Sequence, residues 1–180
     1  MSKKYLVISD LHGSLSSANK ALEAFKKHKV DEVLCLGDVL YHGPRNDLPA
    51  DYNPKEVIPI LNQLVPYIVG VRGNCDAEVD QVVLDFPLRD NYRMLKLGKH
   101  NVLMTHGHLY DEASYPNEKF DIILSGHTHI PLAYKDNYIF LNPGSMTIPK
   151  ENHPRSYAIM DDSSFTIYTF ADEVYMQIHF

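Results

Sequence analysis

The sequence has little that would mark a membrane, secreted or disulfide-stabilised protein. Its apolar runs fall well short of the ~18 residues that a membrane-spanning helix needs. The apolar stretch near the N-terminus, residues 5–8, is too short for a signal peptide. Cys35 lies in an apolar run and Cys75 in a Gly-Asn-Cys-Asp turn, a spacing that fits neither a disulfide framework nor a zinc finger. These absences predict a cytoplasmic protein with no membrane partner.

Positive charge is also in short supply. The chain has 17 Lys and Arg residues against 23 Asp and Glu residues, a formal net charge of −6, and no basic arm. Because an acidic protein is a poor general binder of nucleic acid, we expect no stable nucleic-acid complex. Bound cations would still allow action on a phosphate ester. The length of 180 residues and the average hydrophobic content predict a single domain, residues 1–180.

Apolar runs alternate with helical patterns in the first half of the chain and with turns in the second. Strands are predicted over residues 5–9, 33–36, 67–71, 92–97, 102–105, 122–125, 138–141, 156–160 and 165–170. Helices are predicted after Ser14, after Asn53 and over 76–84, with Ser14 and Asn53 as N-caps and Glu56 completing a capping box. This order predicts an α/β fold with parallel strands first, antiparallel strands later and helices outside.

Histidine is in excess, with ten residues, and half of them lie in short motifs that follow apolar runs. The residues of metal-ligand type at the ends of predicted strands are Asp10, His12, Asp38, Asn74, His106, His127 and His129. Because parallel strands present their C-terminal ends along one edge of a sheet, these side chains are expected to converge. Asp10 and His12, like His127 and His129, are two residues apart, and on extended backbone such pairs point the same way.

The chemistry of this set favours a transition metal. Two Asp, four His and one Asn suit Mn²⁺, Fe or Zn²⁺ better than Ca²⁺, which prefers oxygen ligands alone. The set is too large for one tetrahedral Zn²⁺ and fits two ions ~3.5–4 Å apart, bridged by a carboxylate and a water. Asp38 is the predicted bridging residue, with both oxygens free. The glycines at 13, 37, 73, 107 and 126 would let the backbone turn tightly beside the ligands.

In order and spacing, five motifs resemble those of the calcineurin-like metallophosphoesterases: Asp10-Leu-His12, Gly37-Asp38, Gly73-Asn74, His106-Gly107 and Gly126-His127-Thr128-His129. Residues 38–46 and the turn 142–145 are similar to those of the YfcE-type bacterial phosphodiesterases within that family. The resemblance implies a four-layer α/β/β/α sandwich with two mixed β-sheets and a site for two metal ions.

Carried over to this chain, the resemblance implies one metal site formed by Asp10, His12, Asp38 and His129 and a second formed by Asp38, Asn74, His106 and His127. Mn²⁺ is the first expectation, with Fe, Zn²⁺, Ni²⁺ and Co²⁺ as alternatives. A hydroxide bridging the two ions would attack phosphorus without a covalent intermediate, and Asn74 could also donate to the phosphate.

One residue departs from the wider family pattern. Many members carry a histidine directly after the asparagine, where it assists the leaving group; here the residue is Cys75, as is common in the YfcE-type subgroup. A neutral thiol is a weak donor. Candidates for the missing role are His108, His42, Arg45 and Arg72, and the last three are also the predicted substrate contacts.

The resemblance and the full ligand set predict a metal-dependent phosphoric diester hydrolase acting on small phosphodiesters. A phosphomonoesterase or a nuclease using the same site is an alternative, although the net charge of −6 argues against long nucleic acids. A non-catalytic scaffold of the same fold is a third interpretation, and such scaffolds carry a degraded ligand set. Self-association through the loop 41–51 is a further hypothesis suggested by the resemblance.

Overall fold

Two β-sheets and three helices make up the computed structural model, which describes residues 3–180. The helices are α1 (Leu15–His28), α2 (Pro54–Asn62) and α3 (Asp80–Val83). The strands are β1 (Tyr5–Ile8), β2 (Glu32–Cys35), β3 (Ile68–Gly70), β4 (Tyr92–Leu97), β5 (His100–Thr105), β6 (Ile122–Leu124), β7 (Leu132–Lys135), β8 (Ile139–Asn142), β9 (Ser156–Met160), β10 (Ser164–Thr169) and β11 (Val174–His179). No helix within the described residues is long and apolar enough to cross a bilayer.

Both sheets are mixed. The first has the order β11-β10-β9-β1-β2-β3, in which β1, β2 and β3 are parallel and the last three strands of the chain are antiparallel. The second has the order β4-β5-β6-β8-β7, with β5, β6 and β8 parallel and antiparallel strands at both edges. Parallel strands thus occupy part of each sheet, and the predicted fold of two mixed sheets with flanking helices is confirmed.

The core has two layers, because successive side chains of a strand point to opposite faces. Leu6 and Ile8 of β1 pack with the apolar faces of α1 and α2. Val7 and Leu34, from β1 and β2, pack instead with β5, β6 and β8 in the space between the sheets. All four side chains are fully buried. At roughly 1.5–3 kcal/mol for each fully buried aliphatic side chain, these two layers hold the sheets in a fixed relation.

The two predicted N-caps have different outcomes. Ser14 is confirmed, since its hydroxyl oxygen accepts the backbone N–H of Ser17 at 3.3 Å. The prediction for Asn53 is wrong: its side chain makes no capping hydrogen bond, and the α2 start relies on the backbone carbonyl of Asn53, which accepts the N–H groups of Glu56 and Val57. The backbone N–H of Asn53 donates to Gly13 O at 2.8 Å, which ties α2 to the loop after β1.

Two edge strands, β7 and β11, were not predicted from the sequence. β7 is largely exposed and shows no apolar alternation. β11 is also largely exposed, although Val174, Met176 and Ile178 alternate along it, and Met176 and Ile178 pack against the core between the sheets. β11 adds to the edge of the first sheet by antiparallel pairing with β10. β7 adds to the edge of the second sheet by antiparallel pairing with β8.

Candidate metal centre

The loops that follow the parallel strands bring all seven predicted ligands into one cluster. Asp10 and His12 follow β1, Asp38 follows β2 and Asn74 follows β3, whereas His106, His127 and His129 come from the second sheet after β5 and β6. The cluster therefore lies where the C-terminal ends of parallel strands of both sheets meet. Asp10, His12, Asp38, His106 and His129 are buried, whereas His127 is half-buried and Asn74 exposed.

One group of ligands surrounds Asp10. The distance from Asp10 Oδ1 to His129 Nε2 is 3.3 Å, and to His12 Nε2 it is 3.7 Å. His12 Nε2 also lies 3.8 Å from Asp38 Oδ2. The ligand atoms of Asp10, His12 and His129 all lie within 4.8 Å of one another, a spacing that can hold a metal ion.

A second group surrounds Asp38. Asp38 Oδ2 lies 3.5 Å from His106 Nε2, which in turn lies 3.1 Å from Asn74 Oδ1. The ring of His127 lies beside that of His106, with centroids 5.1 Å apart. Asp38 Oδ2 thus faces a histidine of each group, as a carboxylate shared between two ions would.

Three of the histidines are oriented by the backbone. His12 Nδ1–H donates to Tyr41 O at 2.8 Å, His106 Nδ1–H to Leu36 O at 2.7 Å and His129 Nδ1–H to Ile148 O at 2.6 Å. A carbonyl oxygen can only accept, so Nδ1 carries the proton in each ring. This leaves Nε2 of each ring aimed into the cluster, where it can give its lone pair to a metal ion, the arrangement found around ligating histidines.

The donor set fits a cation. Asp10 Oδ2 accepts Ser9 Oγ–H at 2.7 Å and His127 N–H at 3.1 Å, but Asp10 Oδ1 is buried and has no hydrogen-bond partner among the described residues. A buried carboxylate oxygen without a partner is costly unless a proton or a metal ion compensates it. The oxygen faces the Nε2 atoms of His12 and His129, which are lone-pair donors, so the position suits a metal ion.

The pKa values of His106 and Asp10 also indicate that the cluster favours positive charge. Burial lowers the pKa of His106, but hydrogen bonding to Asp38 outweighs it and raises that pKa to about 9. Burial alone would raise the pKa of Asp10, yet its interactions with His12 and His129 hold it far below the usual range. The two carboxylates are ionised and attract positive charge to the cluster, as a metal centre must.

The backbone at the ligands differs from the extended conformation that the sequence analysis assumed. Asp10, His12, Asp38, His127 and His129 all have left-handed φ angles, from 47° to 65°. The expectation that pairs two apart share a face because the backbone is extended is therefore wrong in its reason, although both pairs do reach the cluster. Non-glycine residues in this region cost of order 1–3 kcal/mol each and persist where the surrounding structure enforces them, commonly at functional sites.

Asp38 is also less free than expected. Its Oδ1 accepts the N–H of Cys75 at 2.8 Å, so only Oδ2 faces the histidines. The premise that both oxygens are free is wrong. The bond from Cys75 instead fixes the carboxylate plane and aims Oδ2 between His12 and His106.

Two of the five glycines serve close approach rather than a turn. A Cβ at Gly73 would collide with Asp38 Oδ1 and lie 2.5 Å from Asp38 N, and one at Gly126 would collide with Ser9 Oγ and lie 3.0 Å from Asp10 Oδ2. Neither glycine has a positive φ. Gly73 lets the loop after β3 touch the carboxylate of Asp38 after the neighbouring β2, and Gly126 lets the loop after β6 of the second sheet touch that of Asp10 after β1.

Asp76 is a supporting residue that the sequence analysis missed. Its buried carboxylate accepts three backbone N–H groups, those of Asp38 at 2.8 Å, Val39 at 2.8 Å and Gly73 at 2.7 Å. It therefore ties the loop after β2 to the loop after β3. Burial, with the charge of Asp38 adding to it, raises the pKa of Asp76 to about 6 against the opposing backbone bonds. Its position in the Gly-Asn-Cys-Asp turn was the available signal.

The turn 142–145 supports the ligand loops from the other side. Asn142 Nδ2 donates to Gly126 O at 2.8 Å, and Ser145 Oγ–H donates to Asp10 O at 2.9 Å. Asn142 and Ser145 are both buried. The turn therefore ties the loop after β6 to the loop after β1.

The candidates for leaving-group and substrate roles separate into three places. Arg45 lines a pocket of about 240 Å³ at the cluster, called here the metal-centre pocket, together with Asp38, Asn74, Cys75, His127, His129 and Lys150. Lys150 was not predicted. Arg72 and His108 line an adjoining cavity that also includes Asn74. His42 lies apart from both, with its ring against those of Tyr41 and Tyr52.

Cys75 and His108 are both electrically neutral groups here. Burial, reinforced by Asp38, raises the pKa of the Cys75 thiol to about 12, so the thiolate is not formed near neutral pH. Burial and the neighbouring His106 lower the pKa of His108 to about 4. Neither group is charged at neutral pH, which limits each to a neutral hydrogen-bonding role.

Comparisons with known proteins agree with this geometry. Residues 4–164 match the Calcineurin-like phosphoesterase superfamily domain. The chain is 40% identical over 172 residues to phosphodiesterase YfcE of Escherichia coli K12, covering 94% of each chain. It is 30% identical over 164 residues to the probable metallophosphoesterase YsnB of Bacillus subtilis, covering 86% of this chain and 82% of that one.

Solved structures share the architecture. A structure of YfcE from E. coli, described as a phosphoesterase, superposes with a TM-score of 0.92 at 37% identity, covering 97% of this chain and 98% of that one. Zinc-bound Vps29 of Entamoeba histolytica, at 23% identity and a TM-score of 0.65 over 98% of each chain, shares the fold alone. The match over most of the chain and the clustered Asp and His residues together show that this protein belongs to the calcineurin-like phosphoesterase superfamily.

Proposed function

We propose that the protein is a divalent-metal-dependent phosphodiesterase that hydrolyses small phosphodiesters at a dinuclear centre. Asp10, His12, Asp38 and His129 would hold one ion, and Asp38, Asn74, His106 and His127 the other. Mn²⁺ is the first choice for a mixed oxygen and nitrogen set, with Fe, Zn²⁺, Ni²⁺ and Co²⁺ as alternatives. Similarity to phosphodiesterase YfcE supports the diester as substrate.

The buried, unpartnered Asp10 Oδ1 carries this proposal. A scaffold with no need for a metal would have no reason to bury a carboxylate oxygen facing the lone pairs of two imidazoles. The other ligands converge with it, and each of His12, His106 and His129 is oriented by a backbone carbonyl. The ligand set is complete, unlike the degraded set expected of a non-catalytic scaffold.

When bound, the two ions would supply Lewis acidity toward the phosphoryl oxygens and an activated water as the nucleophile. The chain itself contributes binding and orientation. Arg45 and Lys150 line the metal-centre pocket, where their positive charges complement an anionic phosphodiester. Asn74 Oδ1 faces His106, so its amide Nδ2–H, now directed to Cys75 Sγ at 3.3 Å, can donate to a phosphoryl oxygen.

Protonation of the leaving group is the weak step in this site. The Cys75 thiol is a weak donor, and His108 is neutral because its pKa lies near 4. Without a strong general acid, the reaction favours esters whose leaving group departs readily as an anion, such as aryl esters. This limitation also argues against alkyl phosphomonoesters as the main substrates.

The test starts from metal-stripped protein to which Mn²⁺ is returned. Hydrolysis of bis(p-nitrophenyl) phosphate is measured beside that of p-nitrophenyl phosphate, with Asp38→Asn as the disabled variant and Asp136→Asn, at an exposed position, as the matched control. We expect Mn²⁺-dependent cleavage of the diester, loss of it in Asp38→Asn and retention in Asp136→Asn. Faster cleavage of the monoester would make the protein a phosphomonoesterase, and no turnover with any of the five metals would favour the scaffold.

A further inference from the structure

Arg72 connects two cavities beside the metal centre. The His108 pocket, of about 390 Å³, is lined by Arg72, Gly73, Asn74, Asn91, His108 and Leu109. The Arg89 pocket, of about 340 Å³, is lined by Arg72, Ala77, Glu78, Gln81, Leu88 and Arg89. Because Asn74 also lines the metal-centre pocket, the three cavities lie one after another in space, from the metal-centre pocket through the His108 pocket to the Arg89 pocket.

The Arg89 pocket is lined by hydrogen-bond donors that have no acceptor partner among the described residues. Within residues 3–180, the guanidinium groups of Arg72 and Arg89 form no hydrogen bond or ion pair. Gln81 Oε1 accepts the N–H of Leu88 at 2.9 Å, which fixes the amide and identifies the other end as the donor Nε2. That Nε2 atom is buried and has no partner among the described residues. A buried donor without an acceptor is destabilising, so a bound ligand that brings an acceptor to Gln81 Nε2 would be favoured here.

The charge of the pocket points to an anion. Glu78 is the single acid among its lining residues, which include two arginines, so the lining carries one positive charge in excess. The chain as a whole carries −6, so this positive pocket stands out against an acidic protein. Guanidinium groups bind phosphate and carboxylate in a two-pronged arrangement, which suits an oxyanion better than a lone acceptor.

We infer that the Arg89 pocket is a subsite for a second oxyanion, a phosphate or a carboxylate, carried on one arm of the phosphodiester substrate. This inference rests on the proposed function. The scissile phosphate lies at the metal centre, the arm runs past Asn74 through the His108 pocket, and the distal oxyanion meets Arg72, Arg89 and Gln81 Nε2. The substrate class is then a small phosphodiester with a further anionic group, not a neutral diester.

The test compares matched esters on the Mn²⁺-loaded full chain. The substrates are the p-nitrophenyl ester of thymidine 5′-phosphate, the same ester with a 3′-phosphate and the same ester with a 3′-O-carboxymethyl group. We expect kcat/KM about tenfold or more higher for an ester with the distal anion, as one charge-assisted contact supplies. The preferred anion of the two distinguishes phosphate from carboxylate.

Two variants locate the effect. Arg89→Gln is expected to reduce the kcat/KM ratio between charged and uncharged esters to near one, mainly by raising KM for the charged ester. Arg93→Gln is the control, since Arg93 lies nearby in β4 and pairs with Asp90 at 3.0 Å outside the pocket. A ratio near one in the unaltered protein, a ratio that survives Arg89→Gln, or an equal loss in Arg93→Gln would each overturn the subsite.

A binding measurement separates this inference from the proposed function. Calorimetry with Mn²⁺ present compares thymidine 3′,5′-bisphosphate with thymidine 5′-phosphate. The subsite predicts about tenfold tighter binding of the bisphosphate to the unaltered protein and equal binding of both to Arg89→Gln. If no ester is hydrolysed, the proposed function fails, and this comparison still decides the subsite: equal affinities in the unaltered protein overturn it.

Discussion

The Nε2 atoms of His12 and His129 lie 3.3 Å apart, and the Nδ1 proton of each ring is donated to a backbone carbonyl oxygen. Two neutral imidazoles in this tautomer have no proton to share between their Nε2 atoms. Asp10 Oδ1, 3.3 Å from His129 Nε2, adds a third lone-pair donor to the same space. The three atoms are stable together only with positive charge among them, which a divalent ion would supply.

Metal affinity is therefore expected to depend sharply on Asp10. In Asp10→Asn the carboxylate charge is lost, and we predict that Mn²⁺ affinity falls by at least about tenfold. Loss of a residue that only supports the ligands of a metal site already lowers metal affinity by about that factor. Calorimetric titration of metal-stripped protein measures this. Asp136→Asn should bind as the unaltered protein does, and an unchanged affinity in Asp10→Asn would contradict the placement of the ion.

Asp76 is expected to position the centre through the backbone. Asp76→Asn replaces one accepting oxygen by an NH₂ group, which leaves a buried N–H of Gly73, Asp38 or Val39 without an acceptor. The expected cost is about 1–3 kcal/mol in the free energy of unfolding, measured by urea denaturation. Asp162→Asn, at an exposed turn, is the control. A variant as stable as the control would show that these bonds do not hold the two loops.

Gly73 is expected to tolerate no side chain. Gly73→Ala would place a Cβ against the carboxylate and the backbone nitrogen of Asp38, so Asp38 must move and metal binding should be lost. Gly98→Ala is the comparison. It introduces an alanine at a φ of 56° in the β4–β5 turn, at the other end of β5 from His106. The left-handed backbone costs about 1–2 kcal/mol in stability, and the new Cβ also lies 2.9 Å from Asp162 Cβ. Mn²⁺ binding that survives in Gly73→Ala would contradict the close packing of the two loops.

Asp172 makes stability depend on pH. It accepts hydrogen bonds from Lys20 Nζ at 2.8 Å, Lys27 Nζ at 2.7 Å and Tyr157 Oη at 2.7 Å. Burial alone would raise its pKa, but these donors, Lys20 first, hold the pKa of Asp172 well below its usual range. A carboxyl with a lowered folded-state pKa stabilises the protein above its unfolded pKa of about 4, and loses that contribution as the pH falls through and below that value.

Asp172→Asn should therefore be less stable than the unaltered protein at pH 7, by about 1–3 kcal/mol, with the difference shrinking below pH ~4. Thermal or urea unfolding from pH 3 to 7 measures the difference. Asp162→Asn should show no such pH-dependent gap. A gap that stays constant down to pH 3 would mean that ionisation of Asp172 does not contribute.

The sequence by itself predicted the α/β fold and named the seven Asp, His and Asn residues that the structure brings into one cluster. Buried strands are recognisable in the sequence as apolar runs. Asp, His and Asn directly after such runs lie at strand ends, and parallel strands bring these ends to one edge of a sheet. The edge strand β7 carries no such signal because most of its side chains face water, and β11 carries only the alternation of Val174, Met176 and Ile178. The predicted side-chain cap at Asn53 failed because of a contact that is distant in the sequence: the backbone N–H of Asn53 donates to the loop after β1.

Only the tertiary structure decided how the ligands are held. The left-handed backbone at Asp10 and His12, the single free oxygen of Asp38 and the three bonds to Asp76 depend on contacts between loops far apart in the chain. The unpaired guanidinium groups beside the metal centre likewise became visible only in three dimensions. A one-dimensional pattern records which side chains are available. Which lone pairs and charges remain without partners depends on what packs around them, and only the tertiary structure shows which groups are left available to a metal ion or a substrate.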